Sequence, residues 1–533
     1  NDNFFALGGD SILSLQIISR ANQAGLYLTP KQLFQHQTIA QLAGVASKTQ
    51  KIQAEQGILT GKVQLLPIQR WFFAQKQPEP HHWNQSFLLA SKEKINLLDL
   101  AAIIDSLRKH HDVLRLRFMQ EESGTQAWIS DTDHQLPLTC IDLSLVAKDQ
   151  QAAAIETAAS ELQASLNLSQ GPLFRVALFD LGQDQDQRLL WVIHHLAIDG
   201  VSWRVLLEDF HLAFGQLEQN RAIKLPFKTT SYRQWSSGIQ EYAKSPELLA
   251  ESDFWLNIRH QPIATIPRDF ADGENTAASE AEISVSLSAA ETQSLLQQAP
   301  SAYRTQINDL LLTALLLTFS QWTTASSLLI DLEGHGREEI LEDVDLSRTV
   351  GWFTTLFPVH LQLDQDSDLG TTIKSVKEQL RAIPDRGIGY GLLRYGSQNQ
   401  EIAKLLSTIE AEVAFNYLGQ FNQVLPESSL FSLAPEGSGS EHSLNGTRTH
   451  LLEINSEVYQ GNLQISWSFS KNLHRRTTIE TLAQNYIQTL RSLIAHCQSP
   501  EAGGFTPSDF ADFQQSQWSQ TDLDAISEAI GDI

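Results

Sequence analysis

Apolar residues recur at helical spacing close to the N-terminus, in SILSLQIISRANQAG (11–25). This spacing predicts an amphipathic helix that begins at Ser11, because its apolar side chains would share one face. The stretch TPKQLFQHQTIAQLAGVA (29–46) predicts a short helix and then a second one from Thr38. We therefore expect a small all-α helical bundle over residues 1–46.

The rest of the chain has a different pattern. Residues 47–62 have no sustained apolar face, and we interpret them as a linker. From Val63 onwards, short apolar runs alternate with longer amphipathic stretches, which is typical of an α/β domain. The clearest predicted strands are SFLLA, FRVALFDL, RLLWVIHHL, AEISVSLS, SSLLIDL, EVAFNYLG and LQISWSFS, and the clearest predicted helices are LLDLAAIIDSLRKHHDVL, DQQAAAIETAASELQASLNL, VSWRVLLEDFHLAFGQLEQ and INDLLLTALLLTFSQW. We expect an N-terminal lobe (63–235), a C-terminal lobe (236–510) and a tail (511–533).

Composition excludes several classes of protein. Hydrophobic residues make up 42% of the 533 residues and charged residues 19%, which is an ordinary globular balance with enough chain for more than one core. A formal net charge of −24 argues against nucleic acid and against anionic membranes, since both are bound by clustered Lys and Arg. No apolar run has the length of a membrane span.

The cysteines and the first residues suggest where the protein works. Cys140 and Cys497 are too few to crosslink a chain of this length, so we predict reduced thiols and a cytoplasmic location. No Cys–His spacing resembles a zinc motif, and we predict no metal site. The chain begins NDNFF without an initiator methionine, which predicts a piece of a longer polypeptide.

Two interpretations of LGGDSILSL are open on the bare pattern. Asp10 or Ser11 caps the helix that follows, which is the usual role of such residues at a helix start. Alternatively, the Ser11 hydroxyl is exposed at the helix N-terminus, where free N–H groups and the helix dipole favour a phosphate.

The longer string FFALGGDSILSLQII resembles the thiolation, or peptidyl carrier, domains of nonribosomal peptide synthetases. In that family the serine of GGDS carries a 4′-phosphopantetheine arm, so the resemblance implies covalent attachment of this cofactor to Ser11. It also implies that residues 1–46 are a carrier helical bundle, whose first helix would lie upstream of residue 1.

The string HHLAIDGVSW combines a strand end with a turn. Adjacent residues of a strand point to opposite sides, so one histidine ring can be structural while the other faces a channel. Adjacent histidines alone are weak evidence, because this chain has another such pair in His81-His82, which no similar turn follows. The whole pattern HHxxxDGxSW resembles the active-site signature of the condensation superfamily, which has a two-lobed chloramphenicol-acetyltransferase-like fold. It implies a catalytic His195, with His194 and Asp199 in structural roles.

Further motifs favour one branch of this superfamily. In SLLIDLEGHGREE, Asp331 and Glu333 share one face of a strand, and EGHGRE resembles the motif of epimerization domains. In FNYLG, Tyr417 is a candidate for returning a proton to the substrate, in addition to Glu333 and His195, and we expect Asn416 to position it. Other blocks that resemble epimerization domains follow in the family's order: LLPIQRWFF (65–73), NDLLLTALLLTF (308–319), SRTVGWFTTLFPVHL (347–361), PDRGIGYG (384–391) and FNYLGQF (415–421).

The resemblance implies epimerization of the α-carbon of an L-aminoacyl or peptidyl thioester tethered to Ser11. This reaction needs a base, an acid on the opposite face and stabilisation of an enolate. We expect Glu333 to take or return the proton, with a protonated His195 as enolate stabiliser or opposite-face donor. Peptide-bond formation by a condensation domain, and an inactive recruitment platform, are the alternatives.

The resemblance also implies partners on both sides of the chain. They are an adenylation domain upstream in the same polypeptide and a condensation domain of the next module downstream. The final residues, TDLDAISEAIGDI, have apolar positions near helical spacing, and we expect either a docking helix or an acidic tail.

Overall fold

The computed structural model describes residues 2–5, 7–48, 54–122, 124–131, 135–183, 185–364, 367–420, 430–510 and 520–523. Its first part is the small helical region expected from the sequence, with α1 (Ser11–Gln23), α2 (Pro30–Gln35) and α3 (Ile39–Val45). Thr29 and Thr38 cap the second and third helices through capping boxes, in which side chains satisfy the free N–H groups of the first turn. This carrier region is followed by the large α/β domain that the sequence predicts.

The N-terminal half of the large domain contains two sheets. The smaller has the order β1-β4-β3, and the larger has the order β12-β2-β7-β6-β5. The strands are β1 (Gly61–Val63), β2 (Asn84–Ser91), β3 (Leu116–Glu121), β4 (Gly124–Ile129), β5 (Leu138–Asp142), β6 (Phe174–Asp180), β7 (Gln187–His194) and, from much later in the chain, β12 (Phe431–Leu433). The helices are α4 (Pro67–Ala74), α5 (Leu97–His110), α6 (Lys148–Ala164), α7 (Gly200–Glu218), α8 (Tyr232–Tyr242), α9 (Pro246–Ala250) and α10 (Ser252–Asn257).

The C-terminal half is built on one sheet with the order β10-β9-β11-β13-β14-β8. Its strands are β8 (Glu280–Ser286), β9 (Ser327–Gly334), β10 (Thr355–Gln362), β11 (Val413–Gln420), β13 (Leu452–Tyr459) and β14 (Asn462–Ser470). The helices are α11 (Ala289–Gln293), α12 (Ala299–Tyr303), α13 (Ile307–Thr323), α14 (Leu369–Arg381), α15 (Ile388–Tyr395), α16 (Gln400–Leu406) and α17 (Arg476–Cys497). Because α13 is apolar on nearly all sides, most of it as far as Phe319 is buried, and it packs against α14 and α17.

The structure corrects several expected boundaries. Leu59 is buried and β1 pairs with β4, so the large domain begins inside the stretch interpreted as linker. The expected boundary between residues 235 and 236 falls inside α8. A strand from the C-terminal half, β12, completes the larger N-terminal sheet by pairing with β2, so the two halves share a sheet. Strand β13 alternates buried and half-buried residues and contains Glu and Asn, which is why its apolar signal was missed.

Two further expectations concern membranes and the tail. Among the described residues, no helix combines the length and apolar character needed to cross a bilayer. Most of the tail, residues 511–519 and 524–533, lies outside the described residues, and this includes most of the stretch TDLDAISEAIGDI on which a docking helix was expected.

Candidate active site

The His-His pair stands where β7 ends. The strand finishes at His194, and His195 opens a single 3₁₀ turn that leads towards α7. His194 is buried, its Nε2 lies 2.8 Å from the carbonyl oxygen of Pro80, and its Nδ1 accepts from the N–H of Leu196 at 3.1 Å. Burial lowers the pKa of His194 to about 3, so this ring is neutral and holds the strand end in place.

A series of hydrogen bonds orients the His195 ring. Its Nδ1 lies 2.8 Å from the carbonyl oxygen of Ile198, and because a carbonyl only accepts, Nδ1 carries the proton. Trp203 Nε1 donates to Gln85 Oε1 at 2.9 Å, which turns the Gln85 amide NH₂ towards His195 Nε2, 3.1 Å away. His195 Nε2 is therefore a proton acceptor.

Removal from water lowers the pKa of His195, although its hydrogen bond to Ile198 opposes the shift. The imidazolium considered from the sequence is thus not the favoured form at neutral pH. The ring is a neutral imidazole with its tautomer set by its neighbours.

A buried ion pair joins the loop after His195 to the loop after Glu333. Arg337 donates to Asp199 Oδ2 at 2.8 Å and to Oδ1 at 3.1 Å, and the exposed fractions of the two side chains are 0% and 5%. Burial raises the pKa of Asp199, but the charge and hydrogen bonds of Arg337 outweigh it and hold that pKa below its usual value.

The VGWFTT segment is bound to the same ion pair. The N–H of Phe353 donates to Asp199 Oδ2 at 2.9 Å, and the guanidinium of Arg337 lies 4.3 Å from the centre of the Phe353 ring. The Trp352 ring centre is 4.2 Å from that of His195. Motifs that are far apart in the sequence therefore meet around one buried salt bridge.

Gly336, in the EGHGRE motif, must be glycine for this packing. Its φ is +65°, in the left-handed region, and a Cβ atom there would lie 1.7 Å from the carbonyl oxygen of Phe353. The close approach of these two backbones lets the loop after β9 reach the VGWFTT segment.

Glu333 lies one residue before the end of β9 and is half-buried. The parallel register of β9 and β11 sets Leu332 beside Phe415, and this brings Asn416 next to Glu333. Asn416 Nδ2 donates to Glu333 Oε2 at 2.8 Å. The sequence-based expectation that Asn416 positions Tyr417 is therefore wrong, because adjacent residues of a strand point to opposite faces.

The surroundings of Glu333 change its acidity. Removal from water raises its pKa to about 7, the charge of Glu453 adds to the rise, and His450 opposes it. His450 itself is held by Asp331, whose Oδ2 lies 2.8 Å from His450 Nε2. A carboxyl group with this pKa donates and accepts a proton with comparable ease near neutral pH.

Tyr417 lies beside the carrier region. Its hydroxyl is buried and has no hydrogen-bond partner within the described part of the chain. Burial and the negative charge of Asp10 raise the pKa of Tyr417 well above its usual value. The hydroxyl is therefore protonated at neutral pH and has a proton to donate.

One group of potential metal ligands lies apart from these residues. Among the described residues, His110, His111 and Asp209 place their ligand atoms within 4.8 Å of one another. Asp209 Oδ2 lies 2.9 Å from His111 Nε2, and Asp209 Oδ1 accepts from Arg348. Because the cation of Arg348 already neutralises the carboxylate, the cluster is satisfied by the protein itself.

Two family models match the sequence. The model described as condensation domain matches residues 60–515, and the model described as phosphopantetheine attachment site matches residues 1–46. The chain belongs to the condensation-domain family. The carrier region ahead of this condensation-family domain is a phosphopantetheine attachment region.

Curated relatives belong to peptide synthetases. The chain is 49% identical over 519 residues to one of the subunits of linear gramicidin synthase from Brevibacillus parabrevis, covering 96% of this chain and 7% of that protein. It is 45% identical over 535 residues to chondramide synthase cmdD from Chondromyces crocatus, covering 99% of this chain and 13% of that protein. The chain thus spans only a small part of the length of either relative.

Solved structures agree with this assignment. The epimerization domain from the third module of tyrocidine synthetase B is 36% identical, with a TM-score of 0.78, covering 84% of this chain and 98% of that one. The first condensation domain of the calcium-dependent antibiotic synthetase, at 16% identity and a TM-score of 0.63, shares the fold alone. The resemblance to a nonribosomal peptide synthetase carrier followed by a condensation-superfamily domain is confirmed.

The condensation-family domain holds its carrier region close to the candidate site. Gln420, at the end of β11, donates to the carbonyl oxygen of Gly8 at 2.8 Å. The N–H of Lys31 donates to Glu339 at 2.8 Å, just beyond the EGHGRE motif. These contacts place the start of α1 beside the strand that carries Asn416 and Tyr417.

Ser11 is suited to carry the phosphopantetheine arm. Asp10, and not Ser11, caps α1, since Asp10 Oδ1 accepts from the N–H of Leu13 at 2.7 Å. Within the described part of the chain the Ser11 hydroxyl makes no hydrogen bond. Gly419, at the point where α1 meets β11, has a φ of +77°, in the left-handed region that favours glycine, and a Cβ atom there would lie 3.2 Å from Ile12 Cδ1. A bound arm would supply a thiol, which can hold an acyl group as a thioester.

Proposed function

We propose that this domain epimerises the α-carbon of an aminoacyl or peptidyl thioester tethered to Ser11, giving the D-configured residue during nonribosomal peptide synthesis. The observation that carries the proposal is that two complementary acid–base groups each precede a loop, and that one ion pair joins these two loops. Glu333 has a pKa of about 7, and His195 is a neutral imidazole whose Nε2 accepts protons. Both are suited to acid–base work near neutral pH.

Before and after the reaction, the two groups together hold one transferable proton. In one direction, Gln85 releases its hydrogen bond to Nε2 of neutral His195, this nitrogen takes the α-proton, and protonated Glu333 returns a proton to the opposite face of the enolate. The products are an imidazolium and a carboxylate, and the reverse reaction starts from that state. The imidazolium forms in the step in which negative charge develops on the thioester oxygen, so it stabilises the enolate when this is needed.

Neighbouring residues hold His195 in the tautomer, and Glu333 in the orientation, that the reaction needs. Gln85 holds the His195 tautomer, and Asn416 orients the Glu333 carboxylate. The Asp199–Arg337 ion pair keeps the two loops at a fixed separation. In the complete synthetase, an upstream adenylation domain would load the carrier and a downstream condensation domain would accept the D-residue.

The test uses the whole chain with an L-aminoacyl or L-peptidyl pantetheine loaded onto Ser11 in heavy water. We expect the released residue to contain both enantiomers with deuterium at the α-carbon. Ser11→Ala serves as the control, because it cannot be loaded and should give no exchange. Unchanged L-residue without deuterium, from folded and loaded protein, would refute the proposal. Peptide formation with an added acceptor carrier would then indicate condensation, and no reaction would indicate a recruitment platform.

A further inference from the structure

The α2 helix of the carrier region contacts the large domain through an aromatic side chain. The guanidinium of Arg386 lies 4.0 Å from the centre of the Phe34 ring, which is the geometry of a cation–π contact. Phe34 also packs against Phe5 of the carrier, with 5.1 Å between the two ring centres. Arg386 belongs to the segment Pro384–Gly387, which follows α14 and which we call the Arg386 loop.

Three consecutive residues of the Arg386 loop have left-handed backbone angles. The values of φ are +39° at Asp385, +52° at Arg386 and +87° at Gly387. Residues other than glycine adopt such angles at an energetic cost, and they keep them where surrounding contacts offset it. A Cβ atom at Gly387 would lie 2.3 Å from the Phe357 ring, so the loop packs tightly against β10. The backbone of the loop is thus fixed on the sheet, while the Arg386 side chain reaches the carrier.

The Arg386 loop also contacts the end of β9. A Cβ atom at Gly334 would lie 3.8 Å from the carbonyl oxygen of Arg386, so the two backbones are close together. Gly334 directly follows Glu333 in β9. In addition, Arg386 Nη1 lies 3.7 Å from Oε2 of Glu338, in the loop that follows this strand. A carrier docked on the Arg386 loop therefore lies close to the strand end that holds Glu333.

Other polar contacts between the carrier and the large domain depend less on the carrier's side chains. Gln420 donates to the main-chain carbonyl of Gly8, and Glu339 accepts from a main-chain N–H of α2. Main-chain groups of this kind are offered by almost any carrier sequence. The polar side chains of α1 make contacts of 3.4 Å, which is long for a hydrogen bond; these are Arg20–Glu208, Asn22–Asp345 and Ser19–Arg348. The Phe34 ring, in contrast, gives a close contact that depends on the type of side chain.

We propose that Arg386 selects the carrier by binding an aromatic side chain at position 34, and that this contact holds α2 against the end of β9 that carries Glu333. Arg386 is a positioning residue, since it acts through the carrier. The face of an aromatic ring attracts a cation, and an aliphatic side chain at position 34 has no such face. The proposal adds carrier recognition to the proposed epimerase function, and its consequence for turnover rests on that function.

Hydrogen exchange of the Lys31 amide measures carrier docking without turnover. This N–H lies in the first turn of α2, where a helix offers no acceptor of its own, and it donates to Glu339 across the interface at 2.8 Å. Its protection from exchange in heavy water therefore rises with the docked population, and mass spectrometry measures it in the whole chain. Glu339→Ala gives the unprotected limit.

The test is a double-mutant cycle of Phe34→Leu and Arg386→Met. We expect each single variant to lose about two- to fivefold of the Lys31 protection, the range of an exposed cation–π contact, and the double variant to lose little more. Phe34→Trp should keep the protection, because indole binds cations best. Arg304→Met is the matched control and should leave the Lys31 protection unchanged. Arg304 is also exposed, also has a φ of +52°, and lies 4.4 Å from the centre of the Phe505 ring in the C-terminal half.

The outcomes separate carrier recognition from the epimerase function. Equal Lys31 protection in wild type and Arg386→Met, or additive losses in the double variant, would overturn the proposal. The rate of α-deuterium exchange in a loaded L-aminoacyl thioester should fall no more than the Lys31 protection does. A larger fall would mean that Arg386 acts on the chemistry itself, which also overturns the proposal. The expected protection pattern without α-deuterium exchange in any of these proteins would support carrier recognition and refute the epimerase.

Discussion

Removing Arg337 tests whether the Asp199–Arg337 ion pair holds the two candidate catalytic loops together. In Arg337→Met, the Asp199 carboxylate keeps its backbone donors at Ser202 and Phe353 but loses the only cation that directly contacts it among the described residues. With 5% of its side chain exposed, Asp199 gains little compensating hydration. Leaving one partner of such a pair unpaired costs about 3–5 kcal/mol of stability.

The size of the effect is measured with a double-mutant cycle of Asp199→Asn and Arg337→Met. We expect the summed costs of the single variants to exceed the cost of the double variant by at least about 1 kcal/mol, because the double variant leaves no buried charge unpaired. Urea denaturation at pH 7, followed by tryptophan fluorescence, gives the apparent free energies of unfolding. Exchange of the α-proton should fall in all three variants, since both loops lose their common anchor.

The pH dependence of this stabilisation has a definite sign. The pKa of Asp199 is lowered in the folded protein, so the stabilisation is complete above its unfolded value of about 4 and is lost as the pH falls through the lowered folded value. Arg476→Met is the control: Arg476 pairs with Glu480 while 61% exposed, and its loss should cost at most about 1 kcal/mol. Additive single effects, or an Arg337→Met cost no larger than that of the control, would refute the reasoning.

Three further predictions concern the site itself. Glu333→Gln should lower the rate of α-deuterium exchange about 100-fold or more. It should also abolish the fall in rate above about pH 7, because wild-type Glu333, with its pKa of about 7, loses the proton it donates as the pH rises. A pH–rate profile that is the same in both proteins would contradict the assignment. Gln85→Leu should slow exchange about tenfold, which corresponds to the loss of one hydrogen bond. The control Gln77→Leu removes a similar hydrogen bond to a backbone carbonyl and should leave the exchange rate unchanged. NMR of the histidine ring nitrogens reports whether the His195 tautomer is lost. Gly336→Ala should abolish exchange and lower the melting temperature. The control Gly25→Ala measures backbone strain alone, because Gly25 has a φ of +80° but nothing lies within 4 Å of the added Cβ. Equal losses of melting temperature in the two variants would contradict the proposed contact.

The sequence by itself determined the parts of this protein that depend on neighbouring residues. The spacing of apolar positions predicts α1 and places Ser11 at its start, and the structure bears this out. Strand alternation puts Asp331 and Glu333 on one face of β9. The motif series also led to the family, which the comparisons confirmed. Each of these conclusions needs only the period of one element or a short string of residues.

Only the tertiary structure decided how those parts form a site. Arg337 lies 138 positions from Asp199 along the chain. Gln85 lies 110 positions from His195, and Asn416 lies 83 positions from Glu333. Local patterns cannot encode such pairings, because sheet order and register determine which strand faces meet. The raised pKa of Glu333 and the lowered pKa of His195 follow from the same cause, since both shifts come mainly from burial that the assembled halves create.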